Sequence, residues 1–125
     1  MSKRTTTFLG FIGFILVLAG AGAHAQSQME MNATAAAAAD KADQELTATY
    51  QKLHDSLKDD AQAQALLEAA EKSWLAYRDA EAEYEASENI GGSIHPLVVS
   101  TVFQRLTEER TKFLRKVLKD GLDAG

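Results

Sequence analysis

Residues 71–96 read "EKSWLAYRDAEAEYEASENIGGSIHP". Aromatic and acidic residues at helical spacing run as far as Glu88. Asn89, Gly91 and Gly92 then tolerate positive φ, which lets the backbone turn sharply. Pro96 has no N–H to lose and suits the first turn of a new helix. The stretch therefore predicts a helix, a tight corner and a second helix. The helix before the corner runs from about 61 to 88, with Leu67, Ala70, Trp74, Tyr77 and Tyr84 on one stripe and Glu81 as a polar gap. Its opposite face carries Gln64, Glu68, Lys72, Asp79 and Glu83. The helix after the corner covers about 96–119, with Val99, Val102, Phe103, Leu106, Phe113, Val117 and Leu118 predicted to face inward.

Upstream, "KDDAQ" makes a polar break in which Asp59 or Asp60 suits an N-cap. Before it, Ala42, Leu46, Tyr50, Leu53 and Leu57 recur at steps of four, four, three and four, a first helix over about 35–58. Residues 26–34, "QSQMEMNAT", show no period and read as a flexible N-terminal arm. No segment alternates as a strand does. The expected fold is all-α, an antiparallel three-helix up-down bundle over 35–120, to which the arm can add a short fourth helix.

The first 25 residues read as a secretory signal peptide. Lys3 and Arg4 precede the uncharged run "FLGFIGFILVLAGAGA", and "AHA" at 23–25 offers small residues for cleavage before Gln26. The bulky core, Phe8 to Leu18, is 11 residues long, whereas a spanning helix needs about 20. Ala21 stands where a lipoprotein signal would need cysteine. The expected location is the periplasm or outside the cell, with no membrane attachment after cleavage. Cleavage lowers Lys+Arg from 13 to 11 against 18 Asp+Glu, a formal charge of −7. Such a chain repels nucleic acid and attracts basic partners. With no cysteine, disulfides, thiolate catalysis and thiolate metal sites are excluded.

The candidate chemistry is thin. Glu81, Glu83, Glu85 and Glu88 suggest paired carboxylates, but on one helix without a cleft they read as a solvated face. His54 and His95 have no paired-ligand spacing, so no metal or cofactor is expected. Ser93 after two glycines is not a strand-turn-helix nucleophile elbow. The inventory supplies no nucleophile–base pair, so the chain reads as a non-enzyme. Trp74 and Arg78, four apart, suit a guanidinium lying over an indole, with Asp79 beside it. These residues and Tyr77 read as mainly structural.

"AD..L...Y..L" in the first helix (Leu46, Tyr50, Leu53), "A..SWLAYRDAE" from Ala70 to Glu81 and "GGS" at 91–93 together resemble a family of small bacterial envelope proteins, the lysozyme-inhibitor LprI-like N-terminal domain. Thr107, Arg110 and Leu114 match its "T..R...L" ending. The resemblance covers about residues 30–118. It implies a periplasmic binding module whose function is to hold a protein partner, a basic lysozyme first among them. It also places the family's usual cysteines at Thr34, Ala82 and Val102, so the expected disulfide is absent. Losing such a staple typically costs about 2–5 kcal/mol unless packing compensates.

A glycine-rich corner is most often only a turn. If this one does more, Gly91, Gly92, Ser93 and His95 are the candidates for contact with a partner. The alternative function is an envelope interaction, stress or toxin-immunity protein with a partner other than lysozyme. Co-purification from periplasmic extract separates the two.

Overall fold

The computed structural model describes residues 16–122. The first half of the expected signal peptide's apolar run, residues 8–15, lies outside the described residues. Three α-helices follow one another: α1 (Leu16–Ser56), α2 (Ala61–Glu85) and α3 (His95–Asp120), with a 3-10 turn at Ser87–Asn89 before the corner. This is the expected all-α bundle. α1 and α3 run parallel, since Asn32 meets Ser93 at one end and Leu53 packs with Leu114 toward the other. α2 runs antiparallel to both. α3 packs most extensively on α1 and next on α2, while the α1 and α2 backbones stay apart.

Local chemistry sets the ends. Asp60 caps α2, its carboxylate accepting from Ala63 N at 2.9 Å. Pro96 sits in the first turn of α3. Gly121, at φ +80°, closes α3 with its N–H donated to Val117 O at 2.8 Å.

The arm is a correction. Residues 26–34 are not loose; they continue α1 toward its N-terminus. Their side chains are almost all exposed. A helix wetted on every side has no apolar period to betray it, although Gln, Met, Glu and Ala all favour helix. Among the described residues there is accordingly no separate fourth helix.

Among the described residues the core has two apolar clusters. Leu46, Leu53 and Leu114 form one, lined by Tyr50, Leu67, Leu75 and Val117. Ala82, Val102 and Leu106 form the other, lined by Val98, Val99 and Phe103. Trp74 touches both. Ala82 and Val102, where the family resemblance places cysteines, are thus packed together in one buried cluster. Thr34 is exposed on α1 and donates its hydroxyl to Glu30 O.

The inward face of α2 also differs from expectation. Tyr77 is 51% exposed and Tyr84 73%, and Ala70 is exposed as well. The buried positions are Glu71, Arg78 and Ala82. At about 100° per residue, Tyr77 and Tyr84 lie more than about 100° round the helix from that line. On α3, Phe113 and Leu118 are exposed, and Leu114, Thr107 and Thr111 take the inward places. On α2 the reason is that Glu71 and Arg78, which have partners on neighbouring helices, occupy the inward line; on α3 Thr107 and Thr111 share it with Val102, Leu106 and Leu114.

Candidate partner-binding surface

The motif residues build the frame. Arg78, buried on α2, donates from Nη1 to Asp43 Oδ1 on α1 at 2.7 Å and from Nε to Asp79 Oδ1 at 2.9 Å. A longer contact of 3.5 Å reaches Thr107 Oγ1 on α3. Its guanidinium carbon lies 3.7 Å from the Phe103 ring centroid and 5.5 Å from that of Trp74. Arg110 on α3 mirrors this arrangement. It donates from Nε and Nη2 to Glu71 Oε2 at 3.0 and 2.9 Å, with its guanidinium 5.6 Å from the Trp74 ring and 5.3 Å from that of Phe113. Trp74 therefore has one guanidinium from α2 and one from α3 in cation–π range.

These contacts fasten three helices through charge-assisted hydrogen bonds. All three carboxylates, Asp43, Asp79 and Glu71, are committed to guanidinium groups, so none of them is set up as a general acid or base. Between α1 and α2 a groove of about 550 Å³ remains, lined by Asp43, Tyr50, Glu68, Glu71, Lys72 and Arg78 among others. The Tyr50 phenol there is pushed above its usual pKa, first by burial and then by the carboxylates of Glu68 and Glu71.

The corner that follows α2 is held tightly. Asn89 N donates to Ala86 O, Ile90 N to Ser87 O, Gly92 N to Asn89 O and His95 N to Gly92 O, all within 3.4 Å. Gly91 adopts φ +80°. At Gly92 a Cβ would stand 3.2 Å from Asn89 O, so the second glycine avoids a tight contact. From α1, Asn32 Nδ2 donates to Ser93 O at 3.0 Å, and Gln28 Nε2 donates to Asn32 Oδ1 at 2.9 Å. The helical arm thus props the corner, a role that sequence reading missed.

Gly91, Gly92 and Ser93 are exposed at the tip. Among the described residues the N–H groups of Gly91, Ser93 and Ile94 find no protein acceptor. They lie where α3 begins, at the positive end of its dipole. His95 is different. It is half-buried, and its enclosed Nε2 lies 3.2 Å from Glu83 Oε2 without hydrogen-bond geometry. Of the acidic run, Glu85 accepts from Arg105 at 2.6 Å, which holds that guanidinium more firmly protonated. Glu88 is exposed and makes no ion pair among the described residues. No described group of three His, Asp or Glu side chains is arranged to hold a metal.

At the far end of the bundle an apolar groove of about 540 Å³ opens between the three helices, walled by Leu57, Leu66, Phe113, Leu118 and Leu122 among others.

The family described as lysozyme inhibitor LprI matches residues 19–114 of this sequence. The chain belongs to that family. The crystal structure of a DUF1311 protein from Pseudomonas putida KT2440, a member of the same family, is similar with a TM-score of 0.66 and 28% identity, over 73% of this chain and 93% of that one. An uncharacterised protein of Rhizobium meliloti (strain 1021) is 34% identical over 89 residues. That match covers 62% of this chain and 64% of the relative, so this LprI-family chain spans somewhat under two thirds of the relative's length.

Proposed function

We propose that the chain is a periplasmic, non-enzymatic binding protein that inhibits a lysozyme by seating the corner at 89–96 in its substrate cleft. Membership of the LprI family carries this reading, and the corner supports it. A projecting turn on three rigid helices loses little conformational entropy on binding. Glycosidase clefts present carboxylates. The unsatisfied N–H groups of Gly91, Ser93 and Ile94, at the positive end of α3, suit such a group as acceptor. The acidic charge of the chain steers it toward a basic enzyme. Export by residues 1–25 places it where it would meet one. Among the described residues no helix is long and apolar enough to cross a membrane.

The test is a turbidity assay of bacterial cell lysis, with the chain lacking residues 1–25 added at micromolar concentration to a basic lysozyme. The lytic rate should fall in proportion to the occupied enzyme. An unchanged rate removes the function.

A further inference from the structure

We propose that Ile90 and Ile94, one on each side of Gly-Gly-Ser, are the apolar anchors of the corner, and that they fit a protein pocket rimmed by Lys or Arg. The inference rests on the reading that the corner is the contact surface, and adds what the partner must offer there.

Ile90 is 73% exposed and Ile94 43%. Neither belongs to either core cluster. The geometry of the turn calls for glycine at 91 and 92, but it sets no demand for a large apolar side chain at 90 or 94. Ile90 is extended, at φ −55° and ψ 130°, and any polar residue adopts that conformation without strain. Two branched aliphatic side chains are therefore held in water at the tip of a turn that folds without them.

Three properties make them suitable anchors. Their backbone is fixed by the Ser87, Asn89 and Gly92 carbonyls and by Asn32. Isoleucine is stiff at χ1, so little rotamer freedom is lost on docking. The polar N–H groups of Gly91, Ser93 and Ile94 lie between and beside them, so one small surface offers apolar contact flanking hydrogen-bond donors, as interface centres do.

The surrounding charge selects the partner. Glu83 lies beside His95 and Glu85 accepts from Arg105, while Glu88 stands exposed. Carboxylates close to the anchors repel an anionic lipid surface and favour a cationic protein rim. The far groove, with Leu66 and Phe113, is also apolar, but its lining holds the Arg110 guanidinium and no carboxylate, and it serves as the internal control.

The experiment compares three proteins lacking residues 1–25: the unsubstituted chain, the double variant Ile90→Ala with Ile94→Ala, and the far-end variant Leu66→Ala. Each is titrated calorimetrically into a basic lysozyme, and thermal unfolding is followed alongside. The double variant should unfold within a few degrees of the parent, because it loses no core contact, and should bind at least about tenfold more weakly. Leu66→Ala should bind as the parent does. Equal affinity of the double variant and the parent overturns the anchors while leaving the functional reading intact. A loss of affinity in Leu66→Ala as large as in the double variant also overturns them. If the parent itself does not bind, the functional reading fails and the anchors fail with it.

Discussion

The two ends of the bundle use the same three helices in opposite ways. At the corner end the inward residues of α1 and α2 are small: Ala39 and Ala42 on α1, and Ala82 and Ala86 on α2, are all buried, with Val102 and Leu106 of α3 packed at the same end. Small side chains let backbones approach closely, and the turn is sealed by hydrogen bonds from α1 and from itself. At the other end Leu46, Leu53, Leu67, Leu75, Leu114 and the broad ring of Trp74 lie between the helices. Large side chains hold the backbones apart, and a groove stays open beyond them. There α1 and α2 are tied by polar contacts, His54 Nε2 with Glu68 Oε1 at 2.8 Å and Gln64 Nε2 to His54 O at 2.9 Å. Side-chain size therefore predicts a bundle that narrows toward the corner. A narrow, sealed end suits presentation of a fixed shape; the wide end carries most of the large apolar core.

The largest effect should come from removing a wedge at the wide end. Leu114→Ala should cost about 2–5 kcal/mol, the usual range for a buried leucine, and lower Tm in a thermal circular-dichroism scan by more than about 10 °C. A loss below about 1 kcal/mol would mean the wide end collapses to fill the gap. Next is a paired test of the taper. Ala82→Leu at the narrow end should destabilise by about 1–3 kcal/mol through overpacking. Ala70→Leu, at an exposed position lining the open groove, should stay within about 0.5 kcal/mol of the parent. Equal effects at the two sites would abolish the contrast. A smaller change is expected at the prop: Asn32→Ala should cost about 0.5–1 kcal/mol and speed amide exchange at 92–95 without altering exchange near Leu53.

The smallest prediction concerns pH. The Tyr50 phenol has a folded pKa above its unfolded value, so the stability linked to its neutral form is complete below about pH 10 and is lost as pH rises through the folded pKa. Tyr50→Phe should lose less stability than the parent between pH 9 and 11, as measured by urea unfolding.

The helices, the Asp60 cap, the Pro96 start and the first core cluster's α1 residues were legible because each is written within one helix. Hydrophobic period found Leu46 and Leu53 on that basis. It placed Tyr77, Tyr84, Phe113 and Leu118 inward because it ranks residues by polarity alone. Burial of Glu71 and Arg78 depends on Arg110 and Asp43, which sit on other helices, and no single-helix pattern contains a partner. The family pattern held the missing signal: Thr107, Arg110 and Leu114, which it singles out, are buried or half-buried in the structure. At the corner, sequence reading chose the glycines, Ser93 and His95 for their flexibility and polarity. It passed over Ile90 and Ile94, because an apolar residue in a turn looks like core until its exposure is seen.

The most direct test of the account is to ask which end a lysozyme touches. Amide chemical shifts of the labelled chain lacking residues 1–25 can be followed during titration with unlabelled enzyme. Residues 88–95 should shift or broaden first, while Leu66, Phe113 and Leu118 stay still. Perturbation centred on the wide groove, or none at saturating enzyme, would contradict it.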